Sequence, residues 1–225
     1  MKESAFNINN NLSTEDNIIE FTKFIKLDKT QIVNIEKATR KQSSSDEWYK
    51  QREARITASN FQNIYTRMES VKSDSSQNVN ILLQSVINKK HFETYATRHG
   101  IATEPHAQSA VVQVLKELGH KSVTHLYSGT IIDEDSPYIS ASPDLVVECV
   151  CCGKGLVEIK CPYTIRDTIP KYENLPQLEI SENNTKLKIT HGHYFQIQGQ
   201  LGISKLQYCR YILCLHTPWT LHRKN

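Results

Sequence analysis

The residues best placed for chemistry lie in Ser142-Pro143-Asp144-Leu145-Val146-Val147-Glu148 and in Gly155-Leu156-Val157-Glu158-Ile159-Lys160, on either side of a cysteine- and glycine-rich turn. Folded as a hairpin with Leu145 facing Ile159 and Val147 facing Val157, the period-two alternation of strand side chains gathers four aliphatics on one face. Asp144 then stands opposite Lys160 on the other face, beside Glu158. Two carboxylates and an ammonium there suit hydrolysis of a phosphodiester. Magnesium takes oxygen ligands and keeps several waters, so two or three protein carboxylates suffice to hold it. The ion neutralises the scissile phosphate and lowers the pKa of an attacking water. A neighbouring ammonium holds that water or stabilises developing charge, an effect worth about 3 kcal/mol in mutagenesis. Glu-x-Lys on a strand is equally a common solvated face, so the reading leans on two further features.

The first is Glu104, three residues before Ala107 on the core-facing stripe of a helix expected over residues 104–118. Its apolar positions Ala107, Ala110, Val111, Val114, Leu115 and Leu118 recur at three- and four-residue steps. Thr103 reads as its cap and Gly119 as its stop. A carboxylate in that first turn is favoured by the helix dipole and needs a partner, which a metal at the sheet supplies; the plainer alternative is a Glu stabilising the helix end in water. The second feature is His193-Tyr194-Phe195-Gln196-Ile197-Gln198. It places Gln196 and Gln198 at the start of a helix, where amides can hydrogen-bond a phosphate or an ordered water.

Around these residues the elements alternate. Helices are expected near residues 17–25 and 30–40, a joint at Ser43-Ser44-Ser45, and a short helix containing Phe61, Ile64 and Tyr65, followed by a polar loop over 70–80. Strands read over 127–132, 138–148, 156–161 and 207–215, and a helix over 192–204 with Tyr194, Ile197 and Leu201 on one stripe. Residues 162–190 hold three of the seven prolines and little periodicity, which marks an excursion. The expected architecture is a sheet with helices before and after it. No internal repeat is present.

Composition narrows the class. The 225 residues are 38 % hydrophobic, enough for one sizeable core. The charge of +3 and pI near 8.4 exclude a protein that coats nucleic acid by charge density alone, so any such contact is local. Six cysteines, three of them crowded at Cys149, Cys151 and Cys152, do not form the pattern of a secreted disulfide framework. The polar, asparagine-rich start and the lack of a long apolar run read as an intracellular, soluble chain with no membrane contact.

Ser-Pro-Asp, a spacer, then Glu-Ile-Lys-Cys-Pro resembles the nuclease signature of the YqaJ-like viral recombinase family, which is similar to the lambda exonuclease and belongs to the PD-(D/E)XK nucleases. The resemblance extends through Arg55-Ile56-Thr57-Ala58-Ser59, Arg98-His99-Gly100 to Glu104, and Gln196-Ile197-Gln198, over roughly residues 46–215. It implies an α/β (α+β) fold with a central mixed sheet flanked by helices and a restriction-endonuclease-like core. Residues 1–45 would be a polar, partly helical extension and 46–225 the nuclease domain. Relatives generally continue past the point where Asn225 ends this chain, so a C-terminal truncation fits.

By that resemblance Asp144, Glu158 and the Ile159 carbonyl hold Mg2+, with Mn2+ as a substitute. Glu104 lies nearby as a further acidic ligand of the ion, Lys160 positions the water, and Gln196 supports the site with Gln198 as second choice. Arg52 and Ser59 would bind the terminal 5′ phosphate. A further acid is sought among Asp133, Glu134 and Asp135. His193 stands where a tyrosine is usual. The implied activity is a 5′-to-3′ exonuclease on linear double-stranded DNA that leaves 5′-phosphate products, often as a trimer, alongside a single-strand annealing protein, in the nucleus or at a viral or mobile-element replication site. The rival readings are an endonuclease of the same fold, or a catalytically silent module that binds DNA ends.

Cys149, Cys151, Cys152 and Cys161 could also supply four thiolates to Zn2+, making the turn an interaction surface. Their spacing is poor beside two separated Cys-x-x-Cys knuckles, and reduced, partly buried thiols are the expectation. His191, His193, His216 and His222 show no metal-ligand spacing.

Overall fold

The computed structural model describes residues 7–53, 55–74, 78–87, 94–167, 171, 174–181 and 184–214. Two helices open the chain: α1 (Thr14–Phe24), capped by the Ser13 hydroxyl on the Asp16 N–H, and α2 (Lys29–Ala38), held by a reciprocal Asp28–Gln31 capping box. The expected joint at Ser43 is a short 3-10 turn, Gln42–Ser44. After α3 (Asp46–Arg52) come β1 (Ile56–Thr57), a second 3-10 turn (Ala58–Asn60), α4 (Phe61–Ser73) and α5 (Asn80–Ile87).

The long helix α6 (Tyr95–Glu117) departs from expectation at its start. It begins nine residues before Glu104, at a capping box of Thr94 and Thr97, and Thr103 is an interior residue whose hydroxyl donates to the His99 carbonyl at 2.7 Å. Glu104 is therefore in the third turn, beyond reach of the helix-terminal charge. The first two turns carry no apolar stripe, because they do not face the main core.

Among the described residues, nine strands form two sheets and a hairpin. The strands β3 (Ile131–Ile132), β4 (Ile139–Ala141), β5 (Leu145–Cys149), β6 (Gly153–Lys160) and β9 (Cys209–Leu213) fall on the expected runs, whereas β2 (Thr124–Tyr127) lies ahead of them and shares only Tyr127 with the first. Two of those runs break in the middle and divide between sheets. The main sheet has order β2-β5-β6-β9, antiparallel except for the parallel β6/β9 pair, and the smaller one has order β1-β4-β3. Ser142-Pro143 makes one of these breaks, since proline cannot donate to a ladder. The excursion carries its own hairpin, β7 (Leu178–Ser181) with β8 (Asn184–Leu187).

In the β5/β6 hairpin Leu145 pairs with Val157 and Val147 with Gly155, a register two residues away from the expected one. The turn is tighter than anticipated: Cys149 pairs with Gly153, which adopts φ +69° and closes a three-residue loop. A two-residue shift leaves every side chain on its face. Leu145, Val147, Val157 and Ile159 accordingly lie together under Ala107, Val111 and Leu115 of α6. Each buried aliphatic there contributes roughly 1.5–3 kcal/mol. The opposite side is covered by α7 (Gly192–Ser204), which packs on β4, the Ala58–Asn60 turn and α4. The N-terminal helices join this body through Thr39, whose hydroxyl accepts from the Thr130 N–H at 2.7 Å, and through Gln42, whose amide donates to the carbonyls of Ser128 and Pro143 at 2.9 Å each.

Candidate active site

Asp144 stands one residue before β5, where the ladder has just ended. Its Oδ2 accepts the Ile159 N–H at 2.5 Å, so the carboxylate occupies the place of the missing ladder partner. A strand residue presents its N–H and C=O to the same side, so the Ile159 carbonyl also faces this gap. Two residues apart on β6, Glu158 and Lys160 share the face turned towards α7, and the Lys160 Nζ donates to Glu158 Oε1 at 2.5 Å. Glu158 is only 1 % exposed and Asp144 8 %.

Such burial requires partners, and α7 supplies them. Gln196 donates to Glu158 Oε1 at 2.5 Å, and Gln200, one turn on, donates to Oε2 at 2.7 Å. Gln200 was not anticipated from the sequence, although its four-residue spacing from Gln196 marks the same helix face. Its own Oε1 is buried and has no hydrogen-bond partner among the described residues. Gln198, the second choice, is exposed and lines a separate apolar pocket with Phe61, Tyr194 and Phe195.

The electrostatics are those of crowded acids. Burial, then the charges of Glu158 and Glu104, hold the Asp144 carboxyl well above the usual carboxylate range. Burial and Glu158 likewise raise Glu104, whose carboxylate also accepts from the Gln108 amide at 2.9 Å. For Lys160, burial pulls the ammonium down, but Glu158, Asp144 and Glu104 together leave it above its ordinary value. Three carboxylates thus sense one another around a single ammonium.

Asp144, Glu158, Lys160, Gln196 and Gln200 line a pocket of about 150 Å³ together with Arg52, Ser59, Trp48, Ser142 and Gln42. Glu104 approaches from behind, on α6, and is not part of that wall. The Arg52 guanidinium lies 4.0 Å from the centre of the Trp48 ring and donates to the Ser142 hydroxyl at 3.1 Å; burial pushes its pKa down to about 10. Trp48, one turn before Arg52 on α3, and Ser142, on the strand-breaking dipeptide, were missed in the sequence. Arg55 has a different occupation: buried, it ties Pro137 and Gln51 carbonyls together.

The expected extra acid is not among Asp133, Glu134 and Asp135. Asp133 accepts the Asp135 and Ser136 N–H groups in a turn and faces Lys205, Glu134 faces Lys29, and none of the three lines the pocket. His193 turns its Nδ1 to the Tyr211 hydroxyl at 2.6 Å, so a tyrosine on β9 reaches the neighbourhood of this helix start. His216 and His222 lie outside the described residues.

The structure is thus an α+β fold with a mixed central sheet between helices, carrying buried acids, a lysine and paired amides in one polar pocket. Residues 47–207 match the family model of the YqaJ-like viral recombinase domain, and the chain belongs to that family. Among solved structures it is similar to an alkaline exonuclease, LHK-Exo, from Laribacter hongkongensis, at 24 % identity over 77 % of this chain and 76 % of that one with a TM-score of 0.46. The same enzyme in complex with dAMP gives 24 % over the same shares with a TM-score of 0.47. A SOX–DNA complex gives 19 % over 59 % of this chain and 24 % of that one, with a TM-score of 0.37. No curated protein matches the chain. Among the described residues, no helix is long and apolar enough to cross a membrane.

Proposed function

We propose that this chain is a divalent-metal-dependent deoxyribonuclease that degrades linear double-stranded DNA from the 5′ end, leaving 5′ phosphates. The observation that carries this reading is the cluster of Asp144, Glu158 and Glu104 around the Lys160 ammonium beside a polar pocket, in which burial and the neighbouring acids raise Asp144 and Glu104. Buried like charges are costly unless a cation joins them, and an all-oxygen donor set fits magnesium or manganese. Asp144, Glu158 and the Ile159 carbonyl would hold the ion, with Glu104 adding charge from behind. When bound, it supplies Lewis-acid neutralisation of the scissile phosphate and a more acidic water.

The chain's own residues do the remainder. Lys160 orients the attacking water and offsets negative charge on the phosphate. Gln196 and Gln200 fix the Glu158 carboxylate so that it does not reorganise during the reaction. Arg52, steadied on Trp48, retains donors for a terminal 5′ phosphate, and Ser59 adds a hydroxyl. In this reading residues 1–45 are an extension to the catalytic domain of 46–225.

End-labelled linear duplex and closed circular duplex, incubated with the chain and magnesium, test the proposal. Expected are shortening of the linear DNA only, release of 5′ mononucleotides and arrest by EDTA. Nicking or linearisation of the circle would make it an endonuclease. Folded protein that cuts neither substrate with magnesium or manganese would make it a silent end-binding module.

A further inference from the structure

At the opposite end of the β5/β6 hairpin the turn gathers three sulfurs and one imidazole. We propose that His120, Cys149, Cys151 and Cys152 bind a structural zinc ion that clamps the end of α6 to this turn. The four ligand atoms lie within 4.8 Å of one another. His120 Nδ1 is 3.1, 3.6 and 3.5 Å from the sulfurs of Cys151, Cys149 and Cys152, while Cys151 Sγ is 3.4 Å from Cys149 Sγ and 3.7 Å from Cys152 Sγ. Tetrahedral zinc, with bonds of about 2.3 Å to sulfur and 2.0–2.1 Å to nitrogen, sets ligand sulfurs about 3.8 Å apart and sulfur and nitrogen about 3.5 Å apart. The observed spacings cluster around those values. They are far too long for a disulfide, whose sulfurs sit about 2.05 Å apart.

The site differs from the four-thiolate set considered on sequence grounds. Cys161 packs against the core beneath α6 and stands outside the cluster, and its place is taken by His120, which the Gly119 turn, at φ +86°, delivers from the helix end. The Val150 N–H already donates to the Lys121 carbonyl at 3.2 Å, so the two loops are strapped together around the ligands. Four protein ligands close the coordination sphere, which makes the ion structural, and a set of three sulfurs and one nitrogen selects zinc over magnesium.

Protons and charge balance. With three thiolates and a neutral imidazole around Zn2+ the loaded centre would carry a net charge of −1, beside which Arg210 supplies a cation, its Nη2 lying 3.8 Å from Cys152 Sγ. Arg210 Nη2 also lies 3.0 Å from His120 Nε2. With Nδ1 on the ion, the neutral imidazole would carry its proton on Nε2. The clamp acts on geometry far away. α6 carries Glu104 and the hairpin carries Asp144 and Glu158, so fixing their shared end limits how the two slide past each other.

Elemental analysis of the purified full chain tests this. The expected content is about one zinc per chain, absent from His120→Ala and Cys152→Ser, and retained by Cys161→Ser and by Asp144→Ala. Retention in Asp144→Ala separates the result from the fate of the nuclease reading. Should the ligand variants fail to fold, cobalt-substituted wild type answers instead, with the intense visible bands and sulfur-to-cobalt charge transfer of a tetrahedral thiolate site. Zinc-free folded wild type with no such spectrum, or a zinc content unchanged in His120→Ala, overturns the proposal.

Discussion

The two ends of one hairpin, roughly 20 Å apart by strand rise, carry opposite chemistries. At the Asp144 end the donors are hard oxygens, buried and in part held by amides from α7; at the Cys149–Gly153 end they are soft sulfurs, Cys149 buried and Cys151 and Cys152 exposed, joined by an imidazole from beyond α6. The acidic end raises the proton affinity of Asp144 and Glu104, so it costs stability and is arranged for reaction. The thiol end gathers loops that otherwise have little to hold them. Substitutions at the first should therefore strike activity, and substitutions at the second should strike folding and zinc content.

The largest expected effect is on cleavage. Asp144→Ala and Lys160→Ala should each lower the rate of DNA hydrolysis by about 10³-fold or more in the end-labelled assay, with the circular dichroism spectrum unchanged. Normal cutting by Lys160→Ala would remove it from the reaction. Asp144→Asn sharpens the contrast, since it keeps an oxygen for the Ile159 N–H and removes the unwanted charge. In metal-free protein its melting temperature at neutral pH should exceed that of wild type. The sign follows from the raised Asp144 pKa: the folded state prefers the protonated acid, so wild-type stability is present at low pH and is lost as pH rises through the folded value. A gap between the two proteins that does not narrow on acidification would contradict this.

Next in size, Arg52→Ala should abolish a preference for 5′-phosphorylated over 5′-hydroxyl ends, about 10- to 100-fold as charged hydrogen bonds go. Competition between the two labelled ends measures it. Gln200→Leu removes the donor on Glu158 Oε2 and leaves a buried acceptor unpaired, costing about 1–3 kcal/mol in urea unfolding. The smallest effect concerns His193, which burial first, then Lys160 and His191, pull down to about 4. Because the unfolded chain binds that proton more readily, stability falls as pH drops from about 6.5 towards 4. His193→Gln should flatten this fall by on the order of 1 kcal/mol.

The same contrast explains what could be read in the sequence. The acidic end is local: alternation along two strands joined by a short turn decides which residues share a face, and it survives the two-residue error in register that Gly153 introduced. Gln196 was legible and Gln200 equally so, one turn on. The true start of α6 was not, because its first turns lack an apolar stripe and Thr103 resembles a cap. At the thiol end Cys149, Cys151 and Cys152 were legible as possible ligands, but the fourth member of the cluster was not. His120 lies about thirty positions from the cysteines, and only the packing of α6 on the hairpin brings it to them. The division of the strands between two sheets is equally a matter of packing, since neither Tyr127 to Ile132 nor Tyr138 to Glu148 shows in its own composition which sheet it joins.

The central claim is that Asp144 and Glu158 share a divalent ion. Crystals soaked in manganese chloride and measured at the manganese edge test it most directly. The account predicts an anomalous peak within bonding distance of an Asp144 and a Glu158 carboxylate oxygen, which vanishes in Asp144→Ala. A pocket without such a peak in crystals where manganese is bound elsewhere would contradict it.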